Sequence, residues 1–171
     1  MGRTYTQQMR TRSFARVTAL FAVASIVAGC SAANRGSPKP PLQMRLVKSS
    51  AEGPCSALPL TSDSPGSACN RAGTITYELG ESLVVVTPTS VTRDGQDRQT
   101  VNAEFDKAGA SKFGDVTGKA VEKQLAILLD GKVLSAPVVK APLTTGNVSF
   151  TFATAAEAEK VATKLGASLT P

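Results

Sequence analysis

The chain has 171 residues, enough for one domain with a tail, and its nineteen basic and thirteen acidic residues give a net charge of +6. Four of the basic residues are arginines in the first 29 positions, which hold no acid, so residues 30–171 carry 15 basic and 13 acidic side chains, a net charge of +2. With no tryptophan and two tyrosines, the chain also offers little aromatic surface for stacking bases. Charge and composition therefore argue against a nucleic-acid partner.

The first 29 residues have the layout of an export signal. Four arginines precede an apolar run at residues 17–27 (VTALFAVASIV), and these eleven residues fall short of the ~20 that span a bilayer. A buried N-terminal helix is the alternative, but it would not explain a cluster of arginines with no acid before Glu52. We therefore predict that residues 1–29 are a signal peptide.

The end of this segment, residues 27–30 (VAGC), resembles the bacterial lipobox, in which cleavage precedes a cysteine that is then lipid-modified. The resemblance implies that Cys30 anchors the protein to the extracytoplasmic face of the bacterial cell membrane, and that it carries more than one acyl chain, as stable anchoring requires. A free Cys30 after ordinary cleavage is the alternative. The segment 30–41 is small, polar and rich in proline, which predicts a flexible tether.

The two remaining cysteines, Cys55 and Cys69, indicate one disulfide, because an even number of cysteines outside the cytosol reads as paired and only one pairing exists. Such a bridge stabilises the fold by about 3 kcal/mol. A metal site is the weaker alternative, because two thiols in a chain without histidine supply too few ligands for zinc. Alternating apolar and polar residues predict a strand at 42–47, and the loop predicted at 48–73 is held in order by the disulfide.

The rest of the chain alternates strand and helix signals. Strands are predicted at 74–79, 82–87, 99–105 and 147–152, with a solvated turn at 92–98. Asp106 is placed to cap a helix at about 107–117. Thr154 and Glu157 form a capping box for a final helix that ends before Gly166. Together these elements predict an α+β fold, an antiparallel or mixed sheet with two helices packed on one face.

The stretch 126–139 (AILLDGKVLSAPVV) predicts a hairpin, because Asp130-Gly131 between two apolar runs suits a type I′ turn. The predicted pairs are Leu129 with Lys132, Leu128 with Val133, and Ile127 with Leu134. The face predicted to lie against the helices presents Leu125, Ile127, Leu129, Leu134 and Ala136. Pro137 has no N–H to donate, so strand pairing ends, bulges or reaches a sheet edge there.

Three stretches resemble SecD, specifically the head subdomain of its first large extracytoplasmic domain. They are residues 102–117 (NAEFDKAGASKFGDVT), residues 126–139, and residues 151–171 (TFATAAEAEKVATKLGASLTP). Their order and spacing agree with the SecD head from about Thr74 onward. The resemblance implies a ferredoxin-like, SecD head-like domain over residues 42–171.

SecD couples proton flow to late steps of protein export, and its head engages emerging polypeptide. The resemblance therefore implies secreted polypeptides or Sec translocon components as partners. The implied contact surfaces are the sheet, its edge at Ser135, Ala136 and Pro137, or the loop 88–98. The membrane-embedded charged residues that carry protons in SecD have no counterpart here, so we expect a binding module without a proton-driven motor.

No group of side chains predicts catalysis. The chain has no histidine, the commonest general base. The carboxylate pairs Asp94/Asp97 and Glu157/Glu159 fall in a turn and at a helix start, where solvation and the helix dipole explain them. Ser135 has no neighbour that would activate its hydroxyl, and no glycine-rich phosphate loop is present. We predict no enzyme activity, no cofactor and no metal.

Two functional hypotheses of different classes follow. The first is an export-associated binding module. The second is an envelope lipoprotein that reuses the fold to bind an unrelated cell-envelope ligand or protein partner through the Cys55–Cys69 loop; a stabilising envelope protein without a dedicated ligand is the remaining alternative. An apolar pocket of about 300 Å³ or more under that loop would favour the second hypothesis.

Overall fold

The computed structural model describes residues 38–167, which form eight strands and two helices. In chain order these are β1 (Leu42–Glu52), β2 (Gly66–Cys69), β3 (Ile75–Val86), β4 (Ser90–Arg93), β5 (Thr100–Glu104), α1 (Lys107–Lys119), β6 (Leu125–Leu129), β7 (Lys132–Ser135), β8 (Asn147–Thr151) and α2 (Ala155–Lys164). Within residues 38–167 no helix is both long enough and apolar enough to cross a membrane. The predicted signal peptide, Cys30 and most of the predicted tether lie outside the described residues.

The strands belong to two antiparallel sheets. One sheet has five strands in the order β2-β3-β1-β6-β7, and the other has three strands in the order β4-β5-β8. Helix α1 lies against β3, and α2 lies against β4 and β5. The predicted α+β class, with antiparallel strands and two helices, is confirmed. The division into two sheets falls at Pro88, a buried residue between β3 and β4 that has no N–H to continue a ladder.

A large core joins both sheets to both helices. It contains the inward-facing residues of β1, β5, β6 and β8 and the apolar stripes of α1 and α2. Within it the rings of Phe105 and Phe113 lie 5.4 Å apart between centroids, at an angle of 56°. Three residues of the predicted hairpin face, Leu125, Ile127 and Leu129, are buried in this core, as the alternation predicts.

Both helices begin at the predicted caps. Asp106 Oδ1 accepts a hydrogen bond from the Gly109 backbone N–H at 2.7 Å, and Thr154 Oγ1 accepts one from the Glu157 N–H at 3.2 Å. These acceptors satisfy backbone donors that the first turn of a helix leaves without a partner. Gly166 follows α2 with a φ of +79°, the left-handed conformation that commonly ends a helix.

A second, smaller core lies on the other face of the five-stranded sheet. Its buried members are Ala68, Tyr77, Leu79, Ala126, Leu128 and Val133. Residues 53–65, which we call the strap, lie over this core, and the Leu60 side chain packs into it. A bridge between Asn70 and Val133 brings the two outer strands, β2 and β7, together. The five strands therefore curl around the second core.

The segment predicted as a loop, 48–73, is regular at both ends, so the predicted bounds are too wide. β1 continues through Glu52, and β2 forms at Gly66–Cys69; both pair with β3. The side chains of these strand segments are mostly polar or small and show no clear alternation. Backbone pairing with β3 decides their structure instead, and an alternation pattern does not reveal it.

Two other strands differ from the prediction. β3 is continuous where two strands, 74–79 and 82–87, were expected, and it passes through Gly80-Glu81 while its register with β1 shifts three times. β4 forms within the polar segment 88–98 and pairs with β5. In both cases the ladder partner supplies the hydrogen bonds that the local residue pattern does not indicate.

Candidate functional site

The strap is fastened near its start by a disulfide between Cys55 and Cys69, the pairing expected from the sequence. Two backbone hydrogen bonds support it: the Gly53 N–H donates to Thr74 O, and the Cys55 N–H donates to Gly73 O, both at 2.9 Å. The start of the strap is therefore joined to β2 and to the residues that lead into β3.

A buried arginine fastens the other end of the strap. The Arg45 side chain, on β1, is 0% exposed. Its Nη1 donates to the carbonyl oxygens of Ser64 at 2.7 Å and Gly80 at 2.8 Å, and its Nη2 donates to the carbonyl oxygen of Ser62. Its Nε donates to Gln43 Oε1 at 3.0 Å. One side chain thus joins the strap to the irregular part of β3.

The charge of Arg45 is retained although its surroundings disfavour it. Burial lowers the pKa of Arg45, and the negative charge of Asp63 raises it in part. Arginine stays protonated in proteins even so, because its pKa is so high. Sequence reasoning missed this residue: Arg45 occupies a polar position in an alternating strand, and no local signal distinguishes it from a solvent-facing side chain.

The hairpin turn touches the strap. Asp130 and Gly131 have φ angles of +49° and +72°, as a type I′ turn requires. Gly131 O accepts a hydrogen bond from the Leu60 N–H at 3.0 Å. The Asp130 carboxylate pairs with the Lys164 ammonium at the end of α2. The turn therefore contacts the strap and α2.

The hairpin register follows the prediction near the turn and then changes. Two predicted pairs are present, Leu129–Lys132 and Leu128–Val133. Ile127 then opposes Ser135 rather than Leu134, which is the extra residue of a bulge and packs against the larger core. Ala136 was predicted on the same face, but it packs against the second core because the bulge changes the alternation.

The predicted binding edge comprises Ser135, at the end of β7, and the two residues that follow it. Ala136 O accepts a hydrogen bond from Gln124 Nε2 at 2.8 Å, and Pro137 O accepts one from the Leu125 N–H at 2.9 Å. Pro137 itself has no N–H. The edge therefore has few free backbone groups, and the exposed side chain of Pro137 is its main contact surface.

The polar turn that follows β4 is organised by two carboxylates. Asp94 Oδ1 accepts a hydrogen bond from the Gln96 N–H at 2.8 Å. Asp97 Oδ1 accepts from the N–H groups of Gln99 at 2.9 Å and Thr100 at 3.1 Å, and its Oδ2 accepts from the Thr100 hydroxyl at 2.9 Å. The pair Asp94/Asp97 therefore stabilises the turn into β5.

Acid is expected to weaken this turn through Asp97. The hydrogen bond from Gln99, with those from Thr100, lowers the pKa of Asp97 from its ordinary value of 3.8. Because the folded pKa lies below that of the unfolded chain, the carboxylate stabilises the fold above the unfolded value and loses this contribution as the pH falls through the folded value. The Asp97→Asn variant should therefore lose less thermal stability between about pH 5 and pH 2 than the wild type. The control is Asp115→Asn on the exposed side of α1; equal losses in the wild type and Asp97→Asn would contradict the assignment.

Cavities adjoin these elements. The cavity under the strap is lined in part by Leu60, Leu128 and Gly131. Its volume of 270 Å³ is less than the second hypothesis requires. A depression of 470 Å³ lies at the base of the strap, but glycine, proline and polar residues line most of it. A further cavity of 250 Å³ lies between α1 and the five-stranded sheet, beside Leu83 and Lys119. The cavity that lies under the strap is therefore smaller than the second hypothesis requires.

The remaining acidic side chains in the described part of the chain do not form a metal site. Within residues 38–167 no group of three or more His, Cys, Asp or Glu side chains lies close enough together to hold a metal ion. Glu159 pairs with Arg93 at 3.2 Å, and Glu157 lies in the first turn of α2. These two carboxylates therefore stabilise the β4–α2 contact and the helix start.

The described residues form an α+β domain with two antiparallel sheets, two helices and a disulfide-linked strap. The family model for the SecDF P1 head subdomain matches residues 78–170, more than half of the chain. The chain therefore belongs to the SecDF P1 head subdomain family. The match begins within β3, so β1, the strap and β2 precede it.

Curated relatives agree with this family. The chain is 44% identical over 79 residues to protein translocase subunit SecD of Acidaminococcus fermentans. The matched segment covers 46% of this chain and 19% of that protein. It is 47% identical over 73 residues to SecD of Dictyoglomus turgidum, and this match covers 42% of this chain and 18% of that protein. The chain thus matches about a fifth of the length of these relatives.

Solved structures of SecDF share the fold. A structure of SecDF, a membrane component that enhances protein export, superposes with a TM-score of 0.51 at 25% identity, over 75% of this chain and 62% of that one. SecDF in a super-membrane-facing form gives the same TM-score and identity over 75% of this chain and 19% of that one.

Proposed function

We propose that this chain is a lipid-anchored extracytoplasmic module, without catalytic activity, that binds secreted polypeptides or Sec translocon components and assists protein export. The observation that carries the proposal is the match of residues 78–170 to the SecDF P1 head subdomain. Relatives over this region are protein translocase subunits SecD, and one solved relative enhances protein export. The proposal concerns the head region, because the family match covers that part of SecD.

The proposed anchor is a lipid-modified Cys30. Residues 30–41 would reach at most about 40 Å when fully extended, so the domain would stay within that distance of the membrane surface. More than one acyl chain gives stable anchoring. A secreted polypeptide that leaves the membrane would therefore meet the domain at high local concentration.

A module that binds many secreted chains needs a stable frame with accessible contact surfaces. The disulfide, Arg45 and the hairpin turn supply the frame. Among the contact surfaces we include the predicted edge at Ser135–Pro137, which acts in this proposal through side chains. Pro137 is exposed and the neighbouring Val138 is 47% exposed, so an apolar side chain of a bound polypeptide can pack there.

A second candidate function places the contact on the strap. Leu58, between the disulfide and Leu60, is 85% exposed. A large apolar side chain held outward on a disulfide-linked segment is suited to insert into a pocket of a protein partner. In this candidate the chain binds another envelope component, and export plays no part.

Site-specific photocrosslinking in cells separates the two candidates. The full chain carries a photoreactive amino acid at Val138 in one variant and at Leu58 in another. The export proposal predicts adducts with secreted polypeptides or translocon subunits from Val138, whereas the second candidate predicts one dominant envelope partner from Leu58. If neither position, nor others across the domain, yields secreted chains or translocon subunits, the export proposal is wrong.

The anchor has its own control in the same experiment. Cys30→Ser removes the acylated thiol, so the variant is expected to leave the membrane fraction and to lose most adducts at Val138. Equal membrane association of the wild type and Cys30→Ser would show that another segment anchors the protein.

A further inference from the structure

The outer edge of β8 is open. β8 pairs with β5 on one side, and among the described residues no strand pairs with its other side. Just outside the paired segment, the Phe105 N–H donates to Gly146 O at 2.9 Å and the Phe152 N–H donates to Gln99 O at 3.0 Å. These bonds establish which opposing residues are hydrogen bonded, because such pairs alternate along an antiparallel ladder.

The alternation defines the direction of each backbone group in β8. Val148 and Phe150 occupy hydrogen-bonded pairs with β5, so the N–H and C=O groups of Asn147, Ser149 and Thr151 point to the open side. All three residues are exposed, and alternate residues of a strand lie about 7 Å apart. The edge therefore presents three donors and three acceptors at the spacing that another strand requires.

The other strand edges are less accessible. β2 and β7 meet at the Asn70–Val133 bridge, and Pro137 follows β7. β4 has only four residues and ends at the charged Arg93, and short strands and charged side chains both discourage strand addition. β8 contains no proline, lysine or register shift, which are devices that proteins use to protect an edge from pairing. β8 is therefore the edge best prepared to accept a strand.

The side chains around β8 are compatible with many sequences. On the exposed face, Ser149 Oγ donates to Asn102 Oδ1 at 2.6 Å, and the hydroxyls of Thr100 and Thr151 lie 3.4 Å apart. These groups are polar and uncharged. On the other face the half-buried Val148 lies against the larger core. An added strand would meet neutral polar groups on one face and an apolar neighbour on the other.

We propose that the open edge of β8 binds an extended segment of a secreted polypeptide as a fourth strand of the three-stranded sheet. Main-chain hydrogen bonds provide affinity in strand addition, and side-chain pockets provide specificity. β8 offers the backbone groups with few side-chain demands, which suits a domain that meets polypeptides of many sequences. This inference rests on the proposed function and names the surface at which it operates.

The Ser149→Pro variant tests the edge directly. Proline removes the outward N–H at the centre of β8, and an edge strand tolerates it because this N–H faces away from the ladder. The matched control, Ser149→Ala, removes the hydroxyl and its bond to Asn102 but keeps the N–H. The probe is a fluorescent seven-residue peptide of alternating threonine and valine with a lysine at each end, added to the full chain. Ser149→Pro is expected to weaken binding about fivefold or more, and Ser149→Ala is expected to leave it unchanged.

A second measurement works without the model peptide. A photoreactive amino acid at Asn147, at the open edge, should give adducts with secreted polypeptides in cells. The same group at Lys112, on the exposed side of α1, should give few. Both variants and Ser149→Pro are first checked for an unchanged thermal midpoint, and Thr151→Pro replaces Ser149→Pro if the latter fails this check.

The outcomes distinguish this inference from the proposed function. The β8 site would be overturned, and the export role left intact, if secreted chains were captured from Val138 but not from Asn147. The same conclusion would follow if a folded proline variant bound the peptide as tightly as the wild-type chain does. Adducts from Asn147 only to a second copy of this chain, or only to its own terminal segments, would also overturn it. Capture of translocon subunits without any secreted chain would overturn the β8 site alone. Capture of neither from any position would refute both proposals.

Discussion

Replacing Arg45 with methionine is expected to lower the free energy of unfolding by about 3 kcal/mol. Methionine fills much of the same space but donates no hydrogen bond, so the carbonyl oxygens of Ser62, Ser64 and Gly80 lose their donor together. Each buried acceptor left unpaired costs about 1–3 kcal/mol. Ser62 and Ser64 are exposed residues, so water can reach their carbonyl oxygens. This replacement of lost hydrogen bonds limits the total loss of stability.

Urea unfolding measures this loss, and Lys48→Met, an exposed change on the same strand, is the matched control. Arg45→Lys separates charge from geometry. Lysine keeps the charge, but its single ammonium cannot reach the carbonyls that a guanidinium reaches with two nitrogens, so we expect it to recover less than half of the loss. Limited proteolysis of Arg45→Met should cut the strap first. Equal unfolding midpoints for Arg45→Met and Lys48→Met would contradict the role assigned to the guanidinium.

Local signals predicted the parts of the fold that neighbouring residues determine. Asp106 and Thr154 cap their helices because a cap needs only a side-chain oxygen within reach of the first turn. The turn at Asp130-Gly131 follows from the positive φ that this dipeptide adopts easily. Each of these structures depends on residues a few positions apart, so the sequence pattern contains the necessary information.

Contacts between distant segments were not predictable in the same way. The strand at Gly66–Cys69 has no alternation, and it forms because β3 offers its backbone groups and the disulfide holds Cys69 in place. The role of Arg45 depends on carbonyl oxygens from two other segments of the chain. No local pattern contains either arrangement.

The candidate binding surfaces show the same limit. The hairpin turn and Pro137 predicted that Ser135 lies near a strand end, and a strand was predicted at 147–152. Whether a strand has a free edge depends on its neighbours in the sheet, and those neighbours are set by topology. The carbonyl oxygens of Ala136 and Pro137 already accept hydrogen bonds within the domain. The outer side of β8, in contrast, has no partner strand among the described residues. The predicted edge and the more open edge are therefore different strands.

The second large effect is expected at Gly131, where a methyl group has no room. A Cβ on Gly131 would lie 2.5 Å from Leu60 N and 2.7 Å from the Pro59 carbonyl carbon, so the strap would have to move. The φ of +72° adds strain for any residue with a side chain. Gly131→Ala is therefore expected to lower the free energy of unfolding by about 3 kcal/mol, with strain and steric displacement both contributing.

Gly73→Ala separates these two contributions, because Gly73 has the same φ of +72° but its nearest foreign atom, Cys55 O, would lie 3.9 Å from the new Cβ. It is expected to cost only the strain, about 1 kcal/mol, in the same urea unfolding experiment. The difference between the two variants then measures how firmly the strap presses on the hairpin turn, the contact that joins Leu60 to Gly131. Equal costs would mean that the strap moves aside freely, and the second core would then not depend on it. A difference of about 2 kcal/mol would show that glycine is required here for the space beneath the strap as well as for the turn.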